Sequence, residues 1–206
     1  MTLLVIDTCL GACQVGLFEA GRVLAGASEP MERGHQERLA PMAAEVMGGA
    51  DFGDVEKIVV TIGPGSFTGL RVGLAFARGV QLATGGALAG VGTLQALAAS
   101  VRGNAAGVID ARRGLVYVQG FEAGRPLGEP DIVSIDEAAA RLRSIAGLTL
   151  VGPGAGLLAA ELPGAKLDAR AAPDLAALGR LAEAAPPAAD LRPLYLRAPD
   201  ARPMLP

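Results

Sequence analysis

The chain has 206 residues, of which 51% are hydrophobic, 19% are charged and 3% are aromatic. This length allows one large domain or two small ones with a buried core, and the composition excludes an intrinsically disordered chain. The formal net charge of -3 and the absence of a basic cluster exclude a protein that grips nucleic acid on its own. Any contact with RNA is therefore expected to depend mainly on a partner.

The first thirty residues are typical of three strands joined by tight turns, the first of them an apolar run that ends at Asp7. Apolar residues recur at spacings of three and four from Leu39 to Met47, which predicts a helix that begins near Pro41 or kinks there. The elements predicted next are a β-branched strand at 57–61, a glycine-rich loop at 63–69, a helix at about 70–83, a strand at 88–91 and a helix at 93–100.

The pattern restarts after residue 102. Gly107–Asp110 resembles the first strand, since it is again an apolar run that ends in an aspartate. A second Gly-Pro-Gly, at residues 152–154, follows the predicted strand at 148–151. Strands that alternate with helices after an antiparallel meander predict an α/β fold with mixed sheets. We expect two related lobes, 1–102 and 103–206. The second is reduced, and its C-terminal helix and proline-rich tail can pack back on the first.

The segment from Gly79 to Val101 has no charged residue, and it is long enough to span a bilayer. Its five glycines and its threonines and glutamines favour a buried helix–strand–helix instead. The N-terminus lacks the basic and apolar regions of a secretion signal, and Cys9 and Cys13 have neither a CxxC nor a zinc spacing. We therefore expect a soluble, cytoplasmic chain with reduced thiols and no membrane span.

The Gly-Pro-Gly-Ser-Phe-Thr-Gly loop at 63–69 is the strongest local motif. It lacks the lysine of a Walker A loop and the glycine spacing of a nucleophile elbow. Two interpretations stay open: an anion site at a helix N-terminus, or a helix capped by Ser66 or Thr68. Asp7, like Asp110, could hold a magnesium-bound water or act as a base, but a cap at the end of a strand explains it equally well.

The single histidine, His35, limits the chemistry of the chain. It precedes the candidate serine and has no second histidine to join, so neither a serine-hydrolase triad nor a histidine-rich metal site is predicted. With Glu32 and Glu37 beside it, His35 is more typical of a surface or an interface.

The helix at 70–83 is apolar on nearly every side. Leu70, Leu74 and Ala77 form one face. The far side is also apolar or small and consists of Val72, Phe76, Gly79 and Ala83. A helix that only covers its own sheet needs one buried stripe, so this pattern predicts burial on two sides. The second side could contact the second lobe, but small residues that permit close approach favour a partner's helices.

Several segments in the same order resemble the TsaB (YeaZ) family. They cover nearly the whole chain and are residues 4–8, 32–42, 63–73, 109–117 and 193–197. The resemblance implies a fold like that of actin, sugar kinases and chaperone ATPases. It also implies a non-catalytic scaffold subunit that activates the catalytic paralogue TsaD, together with the ATPase TsaE. Their product is threonylcarbamoyladenosine (t6A) at position 37 of tRNAs that read ANN codons.

The resemblance further implies that TsaD binds the first two long helices, and that tRNA is reached only through the complex. The same face could form a homodimer when the chain is alone. The interface residues expected on this basis are His35, Leu39, Met42, Leu70, Val72, Leu74, Phe76 and Ala77. No catalytic residue, metal or resident cofactor is expected. Adenine nucleotide could bind weakly, mainly within the complex, with Asp7, Thr8, Ser66 and Thr68 as candidate contacts.

Two enzyme hypotheses remain as alternatives. One is an actin-fold ATPase or phosphotransferase that uses Asp7, Thr8 and the loop at Ser66. The other is a glycoprotease, which the lack of the paralogue's histidine pair argues against.

Overall fold

The computed structural model describes residues 1–196 and contains two mixed β-sheets with helices packed on them. The end of the predicted tail, residues 197–206, lies outside the described residues. No helix within residues 1–196 combines the length and the apolar character needed to cross a membrane. The uncharged segment from Gly79 to Val101 instead forms the end of one helix, a strand and a short helix.

The first sheet has the strand order β3-β2-β1-β4-β5. β1 runs antiparallel to β2 and parallel to β4, and β4 is parallel to β5. The strands are β1 Thr2–Asp7, β2 Ala12–Glu19, β3 Arg22–Pro30, β4 Lys57–Thr61 and β5 Ala87–Val91. The helices of this half are α1 His35–Met47, α2 Phe67–Thr84 and α3 Thr93–Ala98, with a 3-10 turn at Phe52–Asp54.

The second sheet repeats the directions of the first, with the order β11-β10-β6-β7-β8 and β9 paired to β7. β6 is antiparallel to β7 and parallel to β10, and β10 is parallel to β11. The strands are β6 Ala105–Arg112, β7 Leu115–Glu122, β8 Arg125–Pro126, β9 Asp131–Ser134, β10 Thr149–Val151 and β11 Lys166–Asp168. The helices are α4 Ile135–Leu142 and α5 Leu175–Ala184, with a 3-10 helix at Ala155–Leu158. The predicted mixed α/β fold is confirmed.

The first sheet is covered on both faces. Leu4 and Ile6 of β1 belong to the core beneath α1 and α2, whereas Leu3 and Val5 belong to the core beneath α5. Successive side chains of a strand point to opposite faces, so a strand that is apolar throughout is buried on both. Phe18 fills the α5 side, where a Cβ at Gly16 would lie 2.5 Å from its ring.

Both long helices begin before the predicted residue: the start near Pro41 was wrong, whereas a kink at Pro41 stays a prediction, and α2 begins three residues before Leu70. α1 begins at His35 and continues through Pro41, because Leu39, Met42 and Val46 bury one continuous stripe that offsets the backbone hydrogen bond lost at the proline. α2 begins at Phe67, since Ser66 caps it with an oxygen that accepts from Gly69 N at 3.2 Å. α4 and α5 are capped in the same way, by the side chains of Ser134 and Asp174.

The chain after α5 lies along the free edge of the first sheet. Ala188 N donates to Leu88 O at 2.8 Å, and Leu194 N donates to Ile62 O at 2.7 Å. Between them the buried Leu191 fills the space above Gly90, where a Cβ would lie 2.6 Å from its Cδ1. The described part of the tail, up to residue 196, therefore packs on the first half of the chain and ends beside the 63–69 loop.

Candidate functional site: helix groove and interlobe cluster

The 63–69 loop is docked on the turn that follows β1. Thr8 Oγ1 donates to Gly69 O at 2.7 Å, and Ser66 N donates to Cys9 O at 2.7 Å. A Cβ at Gly65 or Gly69 would overlap the backbone carbonyl of this turn. These glycines therefore allow close packing of the chain against itself, and Ser66 serves as the helix cap. Thr68 lies exposed in the first turn of the helix.

Asp7 is fully buried at the end of β1. Its Oδ1 accepts hydrogen bonds from Thr61 Oγ1 at 2.6 Å and from Cys9 N at 3.1 Å, whereas its Oδ2 has no hydrogen-bond partner. Burial raises the pKa of Asp7, because removal from water penalises the carboxylate form. A carboxyl group without exposed surface reaches a substrate or a bound water only if the chain around it opens.

The neighbours of Asp7 are equally enclosed. Burial, together with the charge of Asp7, raises the pKa of the Cys9 thiol to about 12, so this thiol is protonated at neutral pH. The segment between β11 and α5 covers the turn after β1, and Gly11 N donates to Ala171 O at 3.1 Å. The predicted nucleotide contacts Asp7 and Thr8 therefore lie inside the chain and not on an open cleft.

The second sheet carries the counterpart of this arrangement in reduced form. Asp110 ends the apolar part of β6, where its carboxylate accepts from Arg112 N at 2.7 Å and pairs with the Arg112 guanidinium at 3.3 Å. The Gly152–Gly154 loop docks on β6, since a Cβ at Gly154 would lie 2.8 Å from Asp110 N. Only a short 3-10 helix follows it, whereas α2 has 18 residues.

The structure divides the eight predicted interface residues into two groups. Six are buried in the chain itself: His35, Leu39, Met42, Leu70, Leu74 and Ala77. His35 lies at the start of α1 with Nε2 3.3 Å from Ala12 O, so it is an interior residue and not the surface residue that its glutamate neighbours indicated. Val72 and Phe76 are only partly buried and lie on the outer side of α2.

An apolar groove runs between α1 and α2. Its volume is about 440 Å³. Its lining consists of Ala40, Phe52, Phe76, Gly79, Val80, Ala83 and Thr84. A Cβ at Gly79 would meet no atom within 4 Å, so the groove is open at this point. The second apolar side of α2 therefore faces this groove and not the second lobe.

Sequence reasoning placed Phe76, Gly79 and Ala83 on this side of the helix but missed Phe52 and Val80. Phe52 belongs to a short 3-10 turn without periodicity, and its approach to α2 is a tertiary contact. Val80 continues the helical spacing from Phe76 and could have been added on that signal.

A metal site was not predicted, and within residues 1–196 no group of three or more His, Cys, Asp and Glu side chains is placed to hold an ion. One ion-pair network joins α1 to the neighbouring strand β3. Arg38 bridges Glu29 and Glu45, and these hydrogen bonds hold the pKa of both carboxyls below their usual range.

Comparison with known proteins places the chain in a family. The family model described as "TsaD: tRNA N6-adenosine threonylcarbamoyltransferase" matches residues 28–187. An uncharacterised protein of Mycobacterium tuberculosis is 33% identical over 98% of this chain and 95% of its own length. The "tRNA threonylcarbamoyladenosine biosynthesis protein TsaB" of Escherichia coli is 38% identical over 57% of this chain, which spans about half (53%) of that relative.

Solved structures agree over most of the chain. YeaZ from Pseudomonas aeruginosa superimposes with a TM-score of 0.84 at 29% identity, covering 95% of this chain and 99% of that one. A ROK hexokinase from Thermus thermophilus has a TM-score of 0.50 at 16% identity over 90% of this chain and 98% of its own, which supports the sugar-kinase-like fold alone. The chain belongs to the TsaB (YeaZ) family, whose fold is that of the actin-like and sugar-kinase-like proteins.

Proposed function

We propose that this chain is a non-catalytic subunit of the cytoplasmic machinery that forms t6A at position 37 of tRNAs reading ANN codons. In this role it binds and activates a TsaD-type catalytic subunit, together with a TsaE-type ATPase. The E. coli relative is named for t6A biosynthesis, and the matching family model is named for the threonylcarbamoyltransferase.

The groove between α1 and α2 carries the proposal. It is almost entirely apolar, and its floor includes Gly79, where a partner's helix can approach the backbone of α2. A contiguous exposed apolar groove indicates a protein contact surface. We therefore assign the contact with TsaD to Phe76, Val80, Ala83 and the other residues that line the groove. The buried residues beneath, such as Leu74, support this surface from inside. Val72 lines a depression beside Ser66 and Thr68 instead.

The interior of the chain supports the non-catalytic part of the proposal. Asp7 and Thr8, on which an ATPase or phosphotransferase would depend, are buried and engaged with Thr61, Cys9 and Gly69. We propose that the isolated chain holds no cofactor of its own. Any adenine nucleotide would then bind mainly in the assembled complex.

A matched pair of variants tests the groove. Ala83 and Ala75 are both exposed on α2, but only Ala83 lines the groove. Light scattering on a size-exclusion column would measure assembly with TsaD from the same organism. Ala83→Arg should weaken assembly at least about 10-fold, because a guanidinium would be desolvated in an apolar contact. Ala75→Arg should assemble like the wild type.

Each remaining outcome is decisive. If Ala83→Arg assembles as well as the wild type, TsaD does not bind in this groove. A wild-type mixture that elutes as two separate components would refute the scaffold role. A mass that rises with concentration for the chain alone, and is lost in Ala83→Arg, would show that the groove pairs two copies in the absence of a partner.

A further inference from the structure

Two of the few aromatic residues lie together on the surface. The chain has five Phe, two Tyr and no Trp in 206 residues. Phe67 is 53% exposed and Tyr195 is 47% exposed, with their ring centroids 5.7 Å apart. Exposed aromatic rings forgo the free energy of burial, so a pair held in place by tertiary contacts indicates a contact surface.

Arg71 joins the two rings into one unit, the Phe67–Arg71–Tyr195 cluster. Its guanidinium carbon lies 3.8 Å from the centroid of the Phe67 ring, and its Nε donates to Tyr195 Oη at 3.2 Å. Within residues 1–196 Arg71 makes no ion pair with a carboxylate. The cluster therefore presents two aromatic rings and a guanidinium that has no carboxylate partner among residues 1–196.

Both ends of the cluster are fixed by the fold. Phe67 is the first residue of α2 after the Ser66 cap, and Tyr195 follows Leu194, whose amide donates to Ile62 O. Beside it lies a depression of about 380 Å³ whose lining includes Ser66, Thr68, Arg33, Glu32 and Val72. Hydroxyl and charged side chains thus lie next to the cluster, whereas Thr84 is the one polar side chain in the lining of the helix groove.

We propose that the Phe67–Arg71–Tyr195 cluster stacks an unpaired base of the tRNA when this chain is part of the assembled complex. The inference rests on the proposed function and names the surface of this chain that meets the tRNA. Aromatic rings and guanidinium planes are the groups on which proteins stack unpaired RNA bases, and Arg71 can also contact a phosphate.

The composition of the cluster favours RNA over a protein partner at this site. A small cluster of two rings and a guanidinium, bordered by hydroxyls, offers little continuous apolar area for a protein interface. Because the net charge of this chain is -3, its contribution to RNA affinity is a stacking contact and not general attraction to phosphates. The partner subunits therefore supply most of the affinity for RNA.

The test uses the assembled complex with TsaD and TsaE and an unmodified tRNA transcript that reads an ANN codon. Phe67→Ala should raise the KM for tRNA roughly 5- to 150-fold, the equivalent of one lost stacking contact, with kcat retained. Phe67→Trp should keep the wild-type KM, because it restores a stacking face. Phe67→Leu should behave like Phe67→Ala, because it restores only apolar area.

A second measurement does not depend on the modification reaction. Fluorescence anisotropy of the assembled complex would compare a labelled anticodon stem-loop with a fully paired duplex of the same charge. The wild type should prefer the stem-loop, and Phe67→Ala should lose that preference while it still assembles with TsaD. If the wild-type complex makes no t6A, the proposed function fails, and this measurement still decides the stacking proposal.

Four results would overturn the inference. They are an unchanged KM in Phe67→Ala, full rescue by Phe67→Leu, loss of TsaD assembly in Phe67→Ala, and displacement of the stem-loop by free adenosine monophosphate at an equal concentration. The third would assign the cluster to a protein partner, and the fourth would assign it to a free nucleotide.

Discussion

Lys57 is a buried lysine in β4 that holds the end of α5. Its Nζ donates to Ala182 O at 2.7 Å, to Glu183 O at 3.3 Å and to Ala185 O at 2.6 Å. These carbonyls belong to the last turn and cap of the helix, where helical backbone partners run out and the helix dipole is negative. One ammonium group thus joins the first sheet to a helix that lies more than a hundred residues later in the chain.

We expect Lys57→Met to destabilise the fold by about 2–4 kcal/mol. The methionine keeps most of the apolar stem, but two short charged hydrogen bonds and the interaction with the dipole are lost. For a chain of this length, that loss lowers Tm by about 5–15 °C. Urea unfolding followed by circular dichroism would measure it, with an unchanged m-value showing that the extent of unfolding is the same.

The other lysine of the chain provides the control. Lys166 is exposed on β11, and Lys166→Met should change the free energy of unfolding by less than about 0.5 kcal/mol. If the two variants are equally stable, water satisfies the α5 carbonyls and the lysine does not anchor this helix.

Two further predictions concern the interior. Because burial raises the pKa of Asp7, the folded chain holds this proton more tightly than the unfolded one, so stability should fall as pH rises from about 4 towards the folded pKa. Urea midpoints across this range should fall less in Asp7→Asn, and parallel curves would contradict the assignment. Gly69→Ala should cost about 2–3 kcal/mol, because its Cβ overlaps Thr8 O. Gly79→Ala, on the same helix with open space around it, should gain about 0.5–1 kcal/mol, and equal effects in a thermal melt would refute the packing argument.

Much of the fold was predictable from local pattern. The strand at 57–61 has the predicted bounds, since a run of β-branched residues between charged and glycine-rich segments strongly favours a strand. The repeat of an apolar strand that ends at Asp7 and at Asp110 predicted the two related sheets. By contrast, the short strands β8 and β11 have no periodicity of their own and were missed.

The candidate sites were only partly predictable. The two apolar sides of α2 indicated a second contact surface, but helical spacing does not tell which side the chain itself covers. Leu74 and Phe76 look alike in the sequence, yet one is in the core and the other lines the groove. The cluster around Arg71 gave no signal, because Phe67 and Tyr195 are 128 residues apart and meet only through the packing of the tail.

The sequence by itself determined the fold class, the family and the scarcity of catalytic groups, because these depend on residue types and on spacings within short segments. Tertiary structure decided which of those residues are accessible. It buried His35 and Asp7, opened the groove beside Gly79 and placed Tyr195 next to Phe67. Accessibility is set by contacts between distant segments, and the choice among such contacts follows from the packing of the whole chain.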